Sequence, residues 1–343
     1  MNESLVINFL LFLFAALVIG LGGTKLSKIA DQLADATGLG EAIVGALLLG
    51  GITSLAGIIT SITAAADAHP QIAVSNALGG IAAQTAFLAI ADFVYRKANL
   101  EHAAASLPTL VQGALLNALL AVPLLAIAAP KVEILGIHPA SLVIIGGYLF
   151  GLRLTSQVRD APMWKPHLTT ETLIDEAEHS EDQDSLDNLP KMWLMLGWLA
   201  IVIAGAGYVL AKTGVTLSQQ TGLSETVVGG VFIALSTSLP ELVTSIAAVK
   251  RGALTLAVSA IIGGNTFDVL LLSFSDFAYR PGSIYNAITQ SEVFVIALTI
   301  LMTAILLLGL LRREKSGIGN IGFETFSILV LYLGGFTVLF TWS

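Results

Sequence analysis

Apolar residues run through this chain in blocks of about 20, the length a helix needs to cross a hydrocarbon core. Charged residues, prolines and glycines separate ten such blocks, near 5–22, 41–65, 70–95, 105–128, 132–152, 191–212, 225–249, 253–279, 287–311 and 320–341. Strict alternation of apolar and polar positions is absent, which speaks against an outer-membrane barrel. The pattern predicts an all-α polytopic membrane protein with ten transmembrane helices. The first block reads as a retained helix rather than a signal peptide. No positive charge precedes Leu5, and Lys25 and Lys28 follow the apolar run, the reverse of signal-peptide polarity.

Basic residues orient the spans. With the N-terminus outside, the loops after spans 1, 3, 5, 7 and 9 hold Lys25, Lys28, Arg96, Lys97, Arg153, Arg159, Lys165, Lys191, Lys250, Arg251, Arg312, Arg313 and Lys315. The opposite side keeps only Lys131, Lys212 and Arg280. This bias places both termini outside and the central loop in the cytoplasm, in a plasma (inner) membrane. That loop, 153–190, carries Glu171, Asp175, Glu176, Glu178, Glu181, Asp182, Asp184 and Asp187. It reads as a solvated acidic linker between halves 1–152 and 191–343, or else as a regulatory cation-binding segment.

The halves repeat each other. Residues 37–96 align with 221–280 at a constant offset of 184, without a gap and with over a third of positions identical. Thr53-Ser54-Leu55 falls on Thr237-Ser238-Leu239, and Asp92-Phe93 on Asp276-Phe277. Each half holds five spans, an odd number, so the second copy enters the membrane inverted. Inverted repeats are a recurrent plan of secondary transporters, with the substrate site at the midplane.

Composition narrows the chemistry. Only 12% of the 343 residues are charged and 55% are hydrophobic, too little charge to cover a soluble fold of this size. Cysteine is absent, which excludes disulfides, thiolate metal sites and a thiol nucleophile. The net charge is −8 with no basic run, so nucleic acid is not an expected partner. Membrane lipid and small cations are, and the oligomeric state stays open, with a monomer among the options.

Intramembrane acids ask for a functional explanation. Glu41 and Glu225 open their spans, and Asp92 and Asp276 precede Arg96 and Arg280 by four residues, which predicts helical ion pairs. Glu241 and Asp268 remain near the centre. Thr237 and Glu241 share a helical face with Ser238 alongside, and Pro240 lacks the N–H that the Ser236 carbonyl would accept. Asp268 closes Gly263-Gly264-Asn265-Thr266-Phe267-Asp268, where the glycines permit close approach and Asn265 adds an amide oxygen. Carboxylates, hydroxyls and carbonyls are the donor set for sodium or calcium. A serine hydrolase fits poorly, because His69, His102, His138, His167 and His179 all fall in loops or at span ends.

The stretch TSLPELVTSIAAVKRG followed by GGNTFDVLL resembles the second signature repeat of the sodium/calcium exchanger superfamily, the cation/calcium antiporters. The resemblance implies ten helices as two inverted sets of five, and a Ca²⁺ site built from one glutamate of each repeat and an Asn or Asp of each glycine-rich helix, with Na⁺ or H⁺ as counter-ion. Carried onto this sequence it implies Thr237, Ser238, Glu241 and Asp268 from the second half, with Thr53, Ser54 and Gln84 from the first. The first half departs from the motif. Ala56 replaces the proline, Gly57 the glutamate, Ile81 the asparagine and Gln84 the Asn or Asp, while Gly80 and Gly264 stand where a serine is usual. The expected function is a secondary active antiporter, Ca²⁺ against Na⁺ or H⁺, with no enzymatic activity and no resident cofactor. Two other readings stay open: the same fold moving a monovalent cation or other solute, and a non-transporting sensor or subunit.

Overall fold

The computed structural model describes residues 3–37, 51–95, 98–104, 106–163, 165–167, 169, 170, 172, 189–315 and 322–342. Eleven helices carry the fold: α1 (Glu3–Thr37), α2 (Leu55–Ala66), α3 (Pro70–Val94), α4 (Leu107–Ala128), α5 (Pro139–Asp160), α6 (Leu189–Thr221), α7 (Glu225–Thr237), α8 (Leu239–Arg251), α9 (Leu254–Ala278), α10 (Gln290–Arg312) and α11 (Phe323–Trp342). Their starts follow local chemistry. Prolines occupy the first turns of α3, α4, α5 and α8, where a missing N–H costs nothing. Ser106 caps α4 and His138 caps α5, while Thr289 and Glu292 form a capping box on α10. Gly252, at φ 87°, ends α8 in the left-handed conformation.

Among the described residues eight helices are long and apolar enough to span a bilayer alone, and α7 with α8, bent by 44°, makes a ninth. The expected span 41–65 is described from residue 51 onward, and α2 forms its 12-residue end. Helices α1 and α6 run well past the expected limits of 5–22 and 191–212. Polar residues such as Lys25, Lys28 and Lys212 continue these helices without continuing the apolar run that marked their extent.

The offset of 184 governs the whole bundle. Added to the limits of α3 it gives those of α9, and it carries α1, α2, α4 and α5 onto α6, α8, α10 and α11 to within two residues. Helices α3 and α9 lie at the centre, α3 almost wholly buried. Around them α3 meets α7, α8, α10 and α11, while α9 meets α2, α4 and α5. Helices α1 and α6 pack side by side on the outside and expose Phe14, Leu21, Leu194 and Ile201, an apolar surface suited to lipid. The tightest crossing is α3 on α7. A Cβ on Gly79 would lie 2.2 Å from the Gly230 carbonyl oxygen, so glycine is required for this approach.

At its ends each half is pinned by the other. Asp92, closing α3, accepts from Leu100 N (2.7 Å), Thr325 Oγ1 (3.0 Å) and the Gly322 N–H. Asp276, closing α9, accepts from Ile284 N (2.8 Å), Ser141 Oγ (2.7 Å), His138 N (2.8 Å) and Ser283 Oγ (3.0 Å). The same offset maps Leu100 to Ile284, His138 to Gly322 and Ser141 to Thr325. This corrects the expected ion pair of Asp276 with Arg280. Each carboxylate lies where the start of the opposite half's last helix presents unpaired backbone N–H groups, and it takes a further N–H, Leu100 or Ile284, from its own half. Arg96 lies outside the described residues. Glu225, at the start of α7, faces His69 Nδ1 at 2.6 Å.

Candidate functional site

Helix α7 stops at Thr237 and α8 starts at Leu239. Ser238 between them has φ −95° and ψ 3°. In the first half Ser54 precedes α2 with φ −85° and ψ 9°. The two breaks thus share one geometry, although Pro240 is present in the second half and Ala56 stands in its place in the first. Proline is therefore not what imposes this break.

The two breaks face each other across α3 and α9 and enclose a cavity of about 10 Å³, room for roughly one water or one dehydrated ion. Ser54, Gly57, Asn76, Ala77, Gly80 and Gln84 line it from the first half, and Thr237, Ser238, Glu241, Asp268 and Leu271 from the second. The structure thus gathers Ser54, Gln84, Thr237, Ser238, Glu241 and Asp268, all expected from the sequence. Thr53 and Asn265 are not on its walls. Asn265 is fully buried one turn before Asp268 and donates through Nδ2 to Thr85 Oγ1 at 3.1 Å, a contact between α9 and α3. Thr53 is half-buried in the turn preceding the break.

The two acids sit in different settings. Asp268 is held from the first half, with Ser54 Oγ donating to Oδ1 at 2.5 Å and Gln84 Nε2 to Oδ2 at 2.8 Å. The same Gln84 nitrogen reaches Ser238 Oγ at 3.3 Å. Glu241 has a buried oxygen, Oε2, with no hydrogen-bond partner, and Gln84 Oε1 is likewise buried and unpartnered. A buried carboxylate oxygen without a donor is costly. Such an oxygen on a small polar cavity fits a cation or a proton.

Asn76 is the wall residue to which the sequence pattern did not point. Its Oδ1 accepts from Thr237 Oγ1 at 3.2 Å, and its Nδ2 donates to Gly57 O at 3.2 Å and Ser61 Oγ at 2.8 Å. A Cβ on Gly57 would lie 4.0 Å from that nitrogen and 3.2 Å from Leu271 Cδ2, so Asn76 and Leu271 border the place of the absent carboxylate. A signal for it existed: residues 76, 80 and 84 are spaced four apart on one face of α3, and Asn76 and Gln84 are the amides in the middle of that span.

Residues 7–152 and 191–342 match the sodium/calcium exchanger protein family. The chain belongs to that family. Among its relatives, the inner membrane protein YrbG of Escherichia coli is 31% identical over 150 residues, 44% of this chain and 43% of that protein. The sodium/calcium exchanger MaX1 of Methanosarcina acetivorans is 27% identical over 140 residues, 40% of this chain and 39% of its own. These matches span less than half the length of either relative. The crystal structure of the H⁺/Ca²⁺ exchanger CAX superposes with a TM-score of 0.72 at 12% identity, over 97% of this chain and 85% of that one. The sodium-calcium exchanger NCX_Mj superposes with a TM-score of 0.61 at 18% identity, over 97% and 98%. At such identities the likeness shows the fold, and it is that of an exchanger with two inverted five-helix halves. The protein is an integral membrane member of a transporter family, as its sequence motif implied.

Proposed function

We propose that this exchanger-family chain is a secondary active cation antiporter, moving Ca²⁺ against Na⁺ or H⁺ by alternating access at the cavity between α2, α3, α7, α8 and α9. One observation carries this reading: Glu241, with a buried oxygen that has no hydrogen-bond partner, lines a cavity of about 10 Å³ whose polar groups come from both inverted halves. Glu241, Asp268, Ser54, Thr237, Ser238, Gln84 and Asn76 together carry more side-chain oxygens than the 6–8 that Ca²⁺ takes. Asn265 ties α9 to α3 through Thr85, and neither it nor Thr53 lines the cavity. Glu241 and Asp268 balance one divalent ion or two monovalent ones, so the two cargoes compete for the same charge. Competition at one site couples the fluxes when access alternates. A cavity this small leaves no room for an organic solute, which favours an ion as cargo.

The orientation proposed from the basic residues puts both termini outside, the linker in the cytoplasm and the protein in the plasma (inner) membrane. A second reading, exchange of monovalent cations only, draws on Gly57 and on the two donors that already occupy Asp268. Uptake of radioactive calcium into proteoliposomes under imposed sodium and proton gradients decides between them. Calcium uptake driven by either gradient is expected. Sodium–proton exchange without calcium flux would replace the first reading with the second, and the absence of any cation flux would leave a sensor or subunit.

A further inference from the structure

At the end of the bundle that carries Lys250, Arg312 and Arg313, three acids meet away from the cation cavity. Asp92 closes α3, Glu101 lies on the single turn Leu100–Ala103, and Glu324 opens α11. All three are essentially inaccessible, at 0%, 1% and 0% exposure. Asp92 has donors in Leu100, Thr325 and Gly322. The other two acids are poorly supplied. Thr325 Oγ1 lies 3.0 Å from Asp92 and 3.5 Å from Glu101 Oε1, and has one proton to give. Apart from each acid's own backbone N–H, Glu101 Oε2 and both carboxyl oxygens of Glu324 are buried with no hydrogen-bond partner. The Glu101 and Glu324 carboxyls lie in side-chain hydrogen-bonding contact with each other. Acceptor facing acceptor is satisfied only when a proton lies between them.

Charges on the described residues do not relieve the cluster. Among the described residues no ion pair reaches any of the three. On Glu101's own turn, His102 directs Nδ1 to Arg313 O and Nε2 to Thr169 Oγ1. From the segment after α10, Arg313 gives its guanidinium to the His102 and His167 carbonyls and to Thr172, and Glu314 pairs with Arg312. The opposite end of the bundle shows what the fold itself requires. There the counterparts of Glu101 and Glu324 are Tyr285 and Ala140, and Asp276 joins the halves together with the Ser141–Tyr285, Ser273–Ser141 and Ser283–Glu133 hydrogen bonds. The packing makes room for the additional acids: a Cβ on Gly309 would lie 2.3 Å from Glu324 Cγ, and one on Gly322 would lie 2.1 Å from Glu324 Oε1.

We infer that Glu101 and Glu324, with Asp92 as the ionised partner, form a second proton-binding site, separate from the cation cavity, that clamps α3, the Leu100–Ala103 turn and α11 together when protonated. Burial first, then the charges of Asp92 and Glu324, push the Glu101 carboxyl well above the usual glutamate range. The folded protein therefore holds protons that the unfolded chain releases. Stability from this site is complete below the ordinary glutamate range and is lost as pH rises through the raised folded value. The inference rests on the fold and not on the transport reading.

The test uses the full chain carrying Glu241→Gln and Asp268→Asn, which removes the acids of the cavity. Infrared spectra at neutral pH are expected to show protonated carboxyl groups, and this signal should weaken with Glu324→Gln and again with Glu101→Gln. In the otherwise native protein, the melting temperature in detergent should fall toward alkaline pH, and either Gln variant should flatten that fall. If the background protein shows no protonated carboxyl signal, the proposal fails whether or not the Gln variants fold. It also fails if both variants leave signal and slope unchanged. An alkaline loss of stability that Ca²⁺ or Mg²⁺ reverses, with no protonated carboxyl signal, would make the cluster a divalent-cation site instead.

Discussion

Glu241 and Gly57 occupy one position in two copies of the same helix break, and Asp268 and Gln84 occupy another. The backbones agree closely: Ser238 and Ser54 have nearly the same dihedral angles, and α8 and α9 begin 184 residues after α2 and α3. The chemistry does not agree. The second half brings both carboxylates, while the first brings neutral groups, Ser54 and Gln84, that donate to Asp268. Duplication thus preserved the frame of the site and divided its roles. One half carries the charge and the other orients it. The space of the missing first-half carboxylate is bordered by the Asn76 amide and Leu271.

The largest effect should come from removing the charge that nothing else satisfies. Glu241→Gln is expected to abolish cation exchange, because losing one partner of a buried charge interaction costs about 2–5 kcal/mol, at least roughly 30-fold in affinity. Calcium-driven exchange by purified Glu241→Gln protein at native rates would show that the halves are not divided in this way.

Asp268→Asn comes next. Asparagine keeps an oxygen but carries no charge and takes up no proton, so proton-driven flux should disappear while calcium binding only weakens. Flux under a pH gradient, measured beside calorimetric calcium affinity, separates the two effects. Unchanged proton-driven flux would remove Asp268 as proton carrier.

Gly57→Glu attempts to erase the difference between the halves. Its Cβ would press on Leu271 Cδ2 at 3.2 Å, so the substitution is best combined with Leu271→Ala. An added charge about 4 Å from another is worth roughly 4 kcal/mol at an effective dielectric near 20, and desolvation with repulsion from Glu241 removes much of it. Tighter calcium binding, slower release and stronger discrimination against monovalent ions are expected. A folded double variant with unaltered affinity for every cation would mean that the first half does not face the ion.

The smallest effect concerns orientation. Ser54→Ala removes one hydrogen bond to a charged group, worth about 1.5–3 kcal/mol, and should lower calcium affinity by about tenfold while leaving ion selectivity in place. Ser54→Thr should restore most of the loss. A selectivity change in Ser54→Ala would make Ser54 a discriminating ligand rather than a positioning one.

Several of these residues are legible in the linear chain. Thr237, Ser238, Glu241 and Asp268 stand out because polar groups in apolar spans are rare, and the repeat points to Ser54 and Gln84 by register alone. Register cannot separate wall from support. Thr53 and Asn265 belong to the same motifs as the residues on the cavity, yet Asn265 spends its amide on Thr85. Asn76 gains no emphasis from the repeat, because its counterpart in the second half is Ala260. Spacing pairs Asp92 and Asp276 with nearby arginines, whereas their partners Thr325 and Ser141 lie 233 and 135 residues away.

Sequence alone determined that this chain spans a membrane, that it is built twice in opposite orientation, and that its second half carries the central acids. Those conclusions rest on period, composition and offset, all of which are properties of the linear chain. The tertiary structure decided which oxygens share a cavity, which acid is already hydrogen-bonded, and that Glu101 and Glu324 meet Asp92 in the interior. These depend on contacts between α3, α9 and α11, helices far apart in sequence. Whether a carboxyl group needs an ion, a donor or a proton is set by the atoms within hydrogen-bonding distance of it, and chain order does not specify those atoms.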